Sequence, residues 1–331
     1  MKKTGAAFFL LTILFLSVLV SIMFGGSRLG FEQVIYGLTH PYAQDSLSAI
    51  IWRIRLPRIL LGMIIGMGLS SSGCVFQGML RNPLADPYTL GVSGGAAFGV
   101  AIAIIFDFIK TSFLFVPLFA FAGALASMMI VYAVSARKGF STHTLILTGV
   151  IIGFLFSSMV LLLYAVSNPA KVQHAIIWLM GDLSGADSGL IKWTAAYVAA
   201  GIIFMLAFTR ELDILTMGDE KAAQLGVRVD FTKKALFTAA SFVTAVCVAS
   251  AGVIGFVGLI VPHFMRHVYG PNHKFLIVSS AISGAIFLIL CDAAARTVMA
   301  PVELPVGVIT GFIGGIIFLV YLVRSAKHEV F

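Results

Sequence analysis

Apolar runs long enough to cross a bilayer recur along this 331-residue chain, with only short polar stretches between them. A hydrocarbon layer about 30 Å thick takes roughly 20 helical residues, and inside it the backbone must satisfy its own hydrogen bonds. The runs fall at about 6–24, 59–80, 89–106, 113–135, 142–166, 190–208, 235–250, 253–269, 275–295 and 306–323. They predict an all-α membrane protein of about ten transmembrane helices, a single polytopic domain over 1–331. Charged residues make up 11% of the chain and the mean hydropathy is +1.04, which excludes a soluble domain. The net charge of +8 need not mean nucleic acid, because basic residues gather at the cytoplasmic face of membrane proteins.

Lys2 and Lys3 precede the first run, which is long for a signal peptide and lacks an Ala-x-Ala site. It reads as a retained span with its N-terminus inside. An even number of spans then puts both termini in the cytoplasm. This topology places fourteen of the 22 basic residues inside, including Arg81, Arg137, Lys138, Arg210, Lys233, Arg266, Arg324 and Lys327. Among the outer eight are Arg28 and a cluster, Arg53, Arg55 and Arg58, that runs against the positive-inside trend. The stretch between the first two runs predicts a short interfacial helix near 31–38. A half-apolar piece at 176–180 sits in another outer loop.

The densest charge lies at 210–234, RELDILTMGDEKAAQLGVRVDFTKK, between two apolar halves. It must sit in water. Its middle, Gly218 to Gly226, predicts a short helix. Asp219 and Glu220 stand in the first turn, where the helix dipole favours anions, and Gly226 is a C-terminal stop. The segment reads as a docking element for a cytoplasmic partner, and a plain surface connector is the alternative.

Inside the spans, Gly62 and Gly66, Gly91, Gly95 and Gly99, and Gly307, Gly311 and Gly315 repeat at intervals of four, a pattern that lets helix backbones approach closely. Few ionisable residues interrupt the spans. Asp292 and Arg296, four apart, predict a local ion pair near an outer helix end. No intramembrane chain of Asp, Glu or His suggests ion coupling, and no GxxxxGK[ST] loop is present to cradle ATP. Transport against a gradient therefore requires a separate ATPase. His143 and His263 lack ligand spacing, so no metal site and no cofactor are expected. Cys74, Cys247 and Cys291 read as packing residues.

Four stretches together resemble the FecCD-type permeases, the membrane subunits of bacterial ATP-binding-cassette (ABC) importers for iron-siderophores, haem and cobalamin. They are Arg55-Leu56-Pro57-Arg58; Gly73 to Gln77 running into Arg81-Asn82-Pro83-Leu84-Ala85-Asp86-Pro87 and 90–96; Gly218 to Val227; and Gly255 to Arg266 followed by Asp292 to Arg296 and Glu303 to Gly307. They occur in one order along nearly the whole chain. Pro271-Asn272-His273-Lys274 departs from the family's usual turn without touching anything central.

The resemblance implies the type II importer fold, with inverted halves at spans two to five and seven to ten. It implies two permease subunits, as a homodimer or paralogous heterodimer, two cytoplasmic ATPases and an extracytoplasmic binding protein, in the bacterial inner membrane. It assigns ATPase coupling, within a segment 210–230, to Gly218, Asp219, Glu220, Ala222, Ala223, Leu225 and Gly226. It assigns a cytoplasmic gate to Ser141 and Thr142. Docking of the binding protein falls to Arg55, Arg58 and Arg296, with the first two guanidinium groups reaching outward from beside Pro57. The expected cargo is an iron chelate, with haem or cobalamin as the alternative; an ion-coupled carrier and a membrane scaffold are readings of other classes.

Overall fold

The computed structural model describes residues 3–27, 29–41, 45–112 and 114–325; Lys2, Arg28 and Lys327 fall outside them. Among the described residues every regular element is a helix. Ten principal helices stand where the ten runs predict spans. They are α1 (Lys3–Met23), α2 (Leu56–Leu80), α3 (Val92–Ile105), α4 (Phe115–Ala136), α5 (Thr142–Ala165), α6 (Ser188–Ala207), α7 (Val229–Ala251), α8 (Val257–Tyr269), α9 (His273–Ala295) and α10 (Val306–Ser325). Short helices at Phe31–Thr39 and Pro169–Leu179 cover the two stretches read as interfacial.

The axis of the bundle is α2. From Gly68 to Leu80 every one of its residues is buried, Ser70, Ser71, Ser72 and Gln77 included, so this part of the helix has no outer face. By contrast α5 turns Leu147, Ile151, Phe154, Leu161 and Leu162 outward, each more than half exposed, as a lipid-facing helix can. Around α2 lie α1, α6, α7, α8 and α9.

Seven helices are long and apolar enough to cross a bilayer. Two of the others are markedly shorter. α3 and α8 have 14 and 13 residues, about 20 Å each, well short of the ~30 Å hydrocarbon layer. Each follows an irregular loop and starts after a left-handed residue, Gly91 at φ 84° and Phe256 at φ 69°. The loops meet inside the protein, where the Ile254 backbone N–H donates to the Tyr88 hydroxyl at 3.3 Å and Pro87 lies against Gly258. Irregular backbone is tolerated at such depth only when protein surrounds it.

α8 continues through Pro262, which lies inside it. Proline removes the donor that would serve the carbonyl four residues earlier, that of Gly258. That carbonyl faces Gly73 of α2, where an added Cβ would lie 1.8 Å from the oxygen. The same device joins Gly66 to Gly284 of α9, Gly95 to Gly123 of α4, and Gly99 to the Phe119 carbonyl. Gly311 behaves differently: nothing lies within 4 Å of its Cβ position.

Helix lengths repeat between the halves: 25, 14, 22 and 24 residues for α2–α5, then 23, 13, 23 and 20 for α7–α10. The halves are inverted. Arg81, just past the end of α2, meets Asp219, in the segment that leads into α7 and is bonded to Lys233 near its start. Arg58, at the start of α2, meets Asp292, near the end of α9.

Candidate functional site

Polar residues concentrate at the two ends of the bundle. At one end α1, α2 and α9 converge on a buried ionic cluster. Asp292 accepts from Arg58 Nε and from Arg296 Nε, both at 2.9 Å. Arg58 Nη1 reaches Glu303 at 2.6 Å. Arg296 also donates to the Ser21 hydroxyl at 2.8 Å and the Phe24 carbonyl at 3.0 Å. Arg55 donates to the carbonyls of Ile22 and Ser27, and to that of Met23 at 3.2 Å. The last carbonyls of a helix have no partner of their own and carry partial negative charge. Two arginines from elsewhere in the chain thus cap α1. Gly25 lies between them: a Cβ there would sit 3.1 Å from both guanidinium groups, closer than ordinary contact.

This corrects the expectation that Arg55 and Arg58 reach outward. Arg55, Arg58 and Arg296 are 4%, 5% and 4% exposed, and each is bonded within the subunit. Among the outward-facing charges at this end are Arg53, which is exposed, and Glu303, whose side chain is 44% exposed. Sequence reading paired Asp292 with Arg296 from their spacing but missed Arg58 as the third member, which lies 234 residues from Asp292.

At the opposite end the charged segment folds as two short helices, Thr209–Leu215 and Asp219–Gln224. Gly226, at φ 83°, ends the second: its N–H returns to the Ala223 carbonyl at 3.0 Å, and the Val227 N–H to that of Ala222. The residues assigned to coupling divide between two faces. Ala222 is fully buried, and Gly218 and Asp219 are half-buried. Glu220, Ala223, Leu225 and Gly226 are exposed, Leu225 at 60%.

Asp219 is a junction. It accepts from Lys233 of α7 at 2.6 Å and faces Arg81 of α2 at 3.5 Å. Lys233 is only 2% exposed, so the carboxylate compensates a buried ammonium. Asp213 makes a second tie, accepting from the backbone N–H of His273 at 2.9 Å and meeting its Nδ1 at 2.6 Å. The segment is thereby fastened to α2, α7 and α9. Neither Asp213 nor His273 stood out in the sequence, since 60 residues separate them.

Ser141 is the N-cap of α5: its hydroxyl accepts from the Thr144 N–H at 3.3 Å. Before it, Phe140 adopts φ 52° and is fully buried against Tyr132 and Phe237. Thr142 is half-buried, and its hydroxyl has no partner among the described residues.

The whole sequence points the same way as this architecture. The FecCD transport family matches residues 13–324. The chain belongs to that family. It is 36% identical to a hemin transport system permease protein of Yersinia pestis, over 97% of this chain and 96% of the relative. It is 43% identical to a cobalamin import system permease protein of Halobacterium salinarum, over 86% of this chain and 75% of the relative. A solved structure described as an inward-facing, metal-chelate type ABC transporter superposes with TM-score 0.87 at 29% identity, covering 97% of this chain and 99% of that one. As a FecCD permease the chain is a multi-pass membrane protein.

Proposed function

We propose that the chain is the permease subunit of an ABC importer that carries a siderophore-type iron chelate, delivered by an extracytoplasmic binding protein and driven by two cytoplasmic ATPases. The observation that carries this reading is the helix Asp219–Gln224. It presents Glu220, Ala223, Leu225 and Gly226 outward while Asp219 ties it to both halves of the bundle. A push on that face reaches α2 and α7 together. The charged segment and both termini then lie in the cytoplasm, with the arginine cluster outside. Haem or cobalamin is the second cargo reading, favoured by the relatives named for those ligands.

For docking, we propose that a carboxylate of the binding protein competes with the half-exposed Glu303 for Arg58, while Arg55 and Arg296 hold the rim in shape. Exposed Arg53 assists the first encounter. Glu303→Gln should then speed association at low salt. Ser141 and Thr142 are proposed as the cytoplasmic gate, where each α5 meets its twin; a cysteine at Ser141 should crosslink between subunits in a nucleotide-dependent manner.

The deciding experiment is uptake by proteoliposomes that hold the permease, its ATPase and its binding protein, with the ligand identified by mass spectrometry on the isolated binding protein. Replacing Leu225 and Gly226 by glutamine should leave ATPase activity and membrane insertion while abolishing uptake. Normal uptake by that variant would refute the coupling role.

A further inference from the structure

A long groove opens on the bundle surface where α4, α6 and α7 meet. One section, of about 600 Å³, has Ala200, Gly201, Ala235 and Ala239 among its lining, with Phe204 and Phe231 as larger walls. A second section, of about 480 Å³, continues from it. Both are lined by Tyr197 and Phe242, whose rings pack edge to face at 5.8 Å. Lys234 and Ser250 on α7 belong to the two far ends. Sixteen helical residues separate them, about 24 Å, most of the ~30 Å hydrocarbon thickness. The protein cannot close this groove by drawing α6 nearer α7. A Cβ on Gly201 would already lie 2.1 Å from a methyl of Val243, so the Val243 side chain fills the space between the two helices.

The charged end of the groove is built differently. Past Phe231 lies a polar pocket of about 280 Å³ lined by Arg210, Glu211 and Arg228. The Arg228 guanidinium sits 5.1 Å from the Phe231 ring centroid. Lys234 stands at the groove mouth, bonded to Asp230 at 2.5 Å. Glu211 Oε2 is sealed from solvent and has no hydrogen-bond partner among the described residues. A carboxylate oxygen in that position requires a donor.

We propose that this surface holds one resident phospholipid with a primary ammonium headgroup, of the phosphatidylethanolamine type. An acyl chain lies along the groove. The phosphate sits between Arg228 and Lys234, and the ammonium donates to Glu211 Oε2. The pairing of cations with an orphaned carboxylate selects this class. A phosphatidylglycerol headgroup has the phosphate but offers Glu211 only neutral hydroxyl donors, which form the weaker hydrogen bond and leave the carboxylate charge uncompensated. A helix from another protein would fill the apolar length but not match both charges. The headgroup pocket also takes in Leu225 and Gly226, so it borders the face proposed for coupling.

The test uses the full chain, purified from membranes in a mild detergent and examined by native mass spectrometry, then exchanged against phosphatidylethanolamine or phosphatidylglycerol. The wild type should retain one phosphatidylethanolamine per chain, preferred about tenfold over phosphatidylglycerol, as expected for one charge-assisted hydrogen bond. Glu211→Gln should keep a lipid but lose the preference. Ala239→Phe should fill the groove and lose the lipid from a chain that still inserts. If that variant fails to insert, Glu211→Gln alone decides. Equal retention of the two lipids by the wild type, an unchanged preference in Glu211→Gln, or a lipid-free oligomer overturns the proposal.

Discussion

Asp292 carries more of this structure than its size suggests. It is 1% exposed and is shared by two arginines from opposite ends of the chain. Removing one member of a buried ionic group leaves uncompensated charge, which is worse than never having buried it. Asp292→Ala should therefore cost about 3 kcal/mol, read as a lowered unfolding midpoint in detergent. Asp107 shows the milder, solvent-exposed case. Hydrogen bonds from Lys171 and Lys110 hold its carboxyl below the ordinary value of 3.8. A depressed carboxyl contributes stability above its unfolded pKa and loses it as pH falls through the folded one. Lys171 lies on the helix Pro169–Leu179, and its ammonium also donates to the Ile105 carbonyl at the end of α3. Asp107→Asn should speed amide exchange across 169–179 at pH 7. The wild type should approach the variant only when acidified below pH about 4.

Among the elements, α8 shows how a local rule acts through a neighbour. Pro262 frees the Gly258 carbonyl, and Gly73 leaves space for it. Gly73→Ala must separate two backbones in the centre of the bundle, and overpacking of this kind costs roughly 1–3 kcal/mol. Gly311→Ala meets open space and should instead be neutral or slightly stabilising, since alanine is the better helix former. Thermal unfolding of the two variants side by side checks both; equal effects would show that the spacing of glycines, rather than their contacts, governs packing.

For the whole molecule, two inverted halves are fastened at one end by Asp219 and at the other by Asp292. The ends should therefore lie on opposite sides of the membrane. The three native cysteines are buried, so single introduced cysteines report cleanly. In intact cells a membrane-impermeant thiol reagent should label a cysteine at Arg53 and spare one at Glu220 until the membrane is opened. The reverse pattern would invert the topology.

Local composition and spacing within one helix were enough for the helical class, the positions of ten helices and the short helix at Asp219–Gln224, while the family was legible from four motifs that resemble it in order along the chain. Hydropathy sees the residues of a segment and nothing beyond them. It could not tell that α3 and α8 begin inside the bundle, since it is the meeting of their loops, 81–91 and 252–256, that buries both helix starts. Nor could it place Arg55 and Arg58. Basic residues at a membrane boundary read as outward-facing, yet the free carbonyls of α1 and the carboxylate of Asp292 draw them inward. Those partners are distant in sequence, and only the packing of α1, α2 and α9 brings them together. The pairing of Asp213 with His273 and of Asp219 with Lys233 and Arg81 was decided the same way, by which helix ends the fold sets side by side.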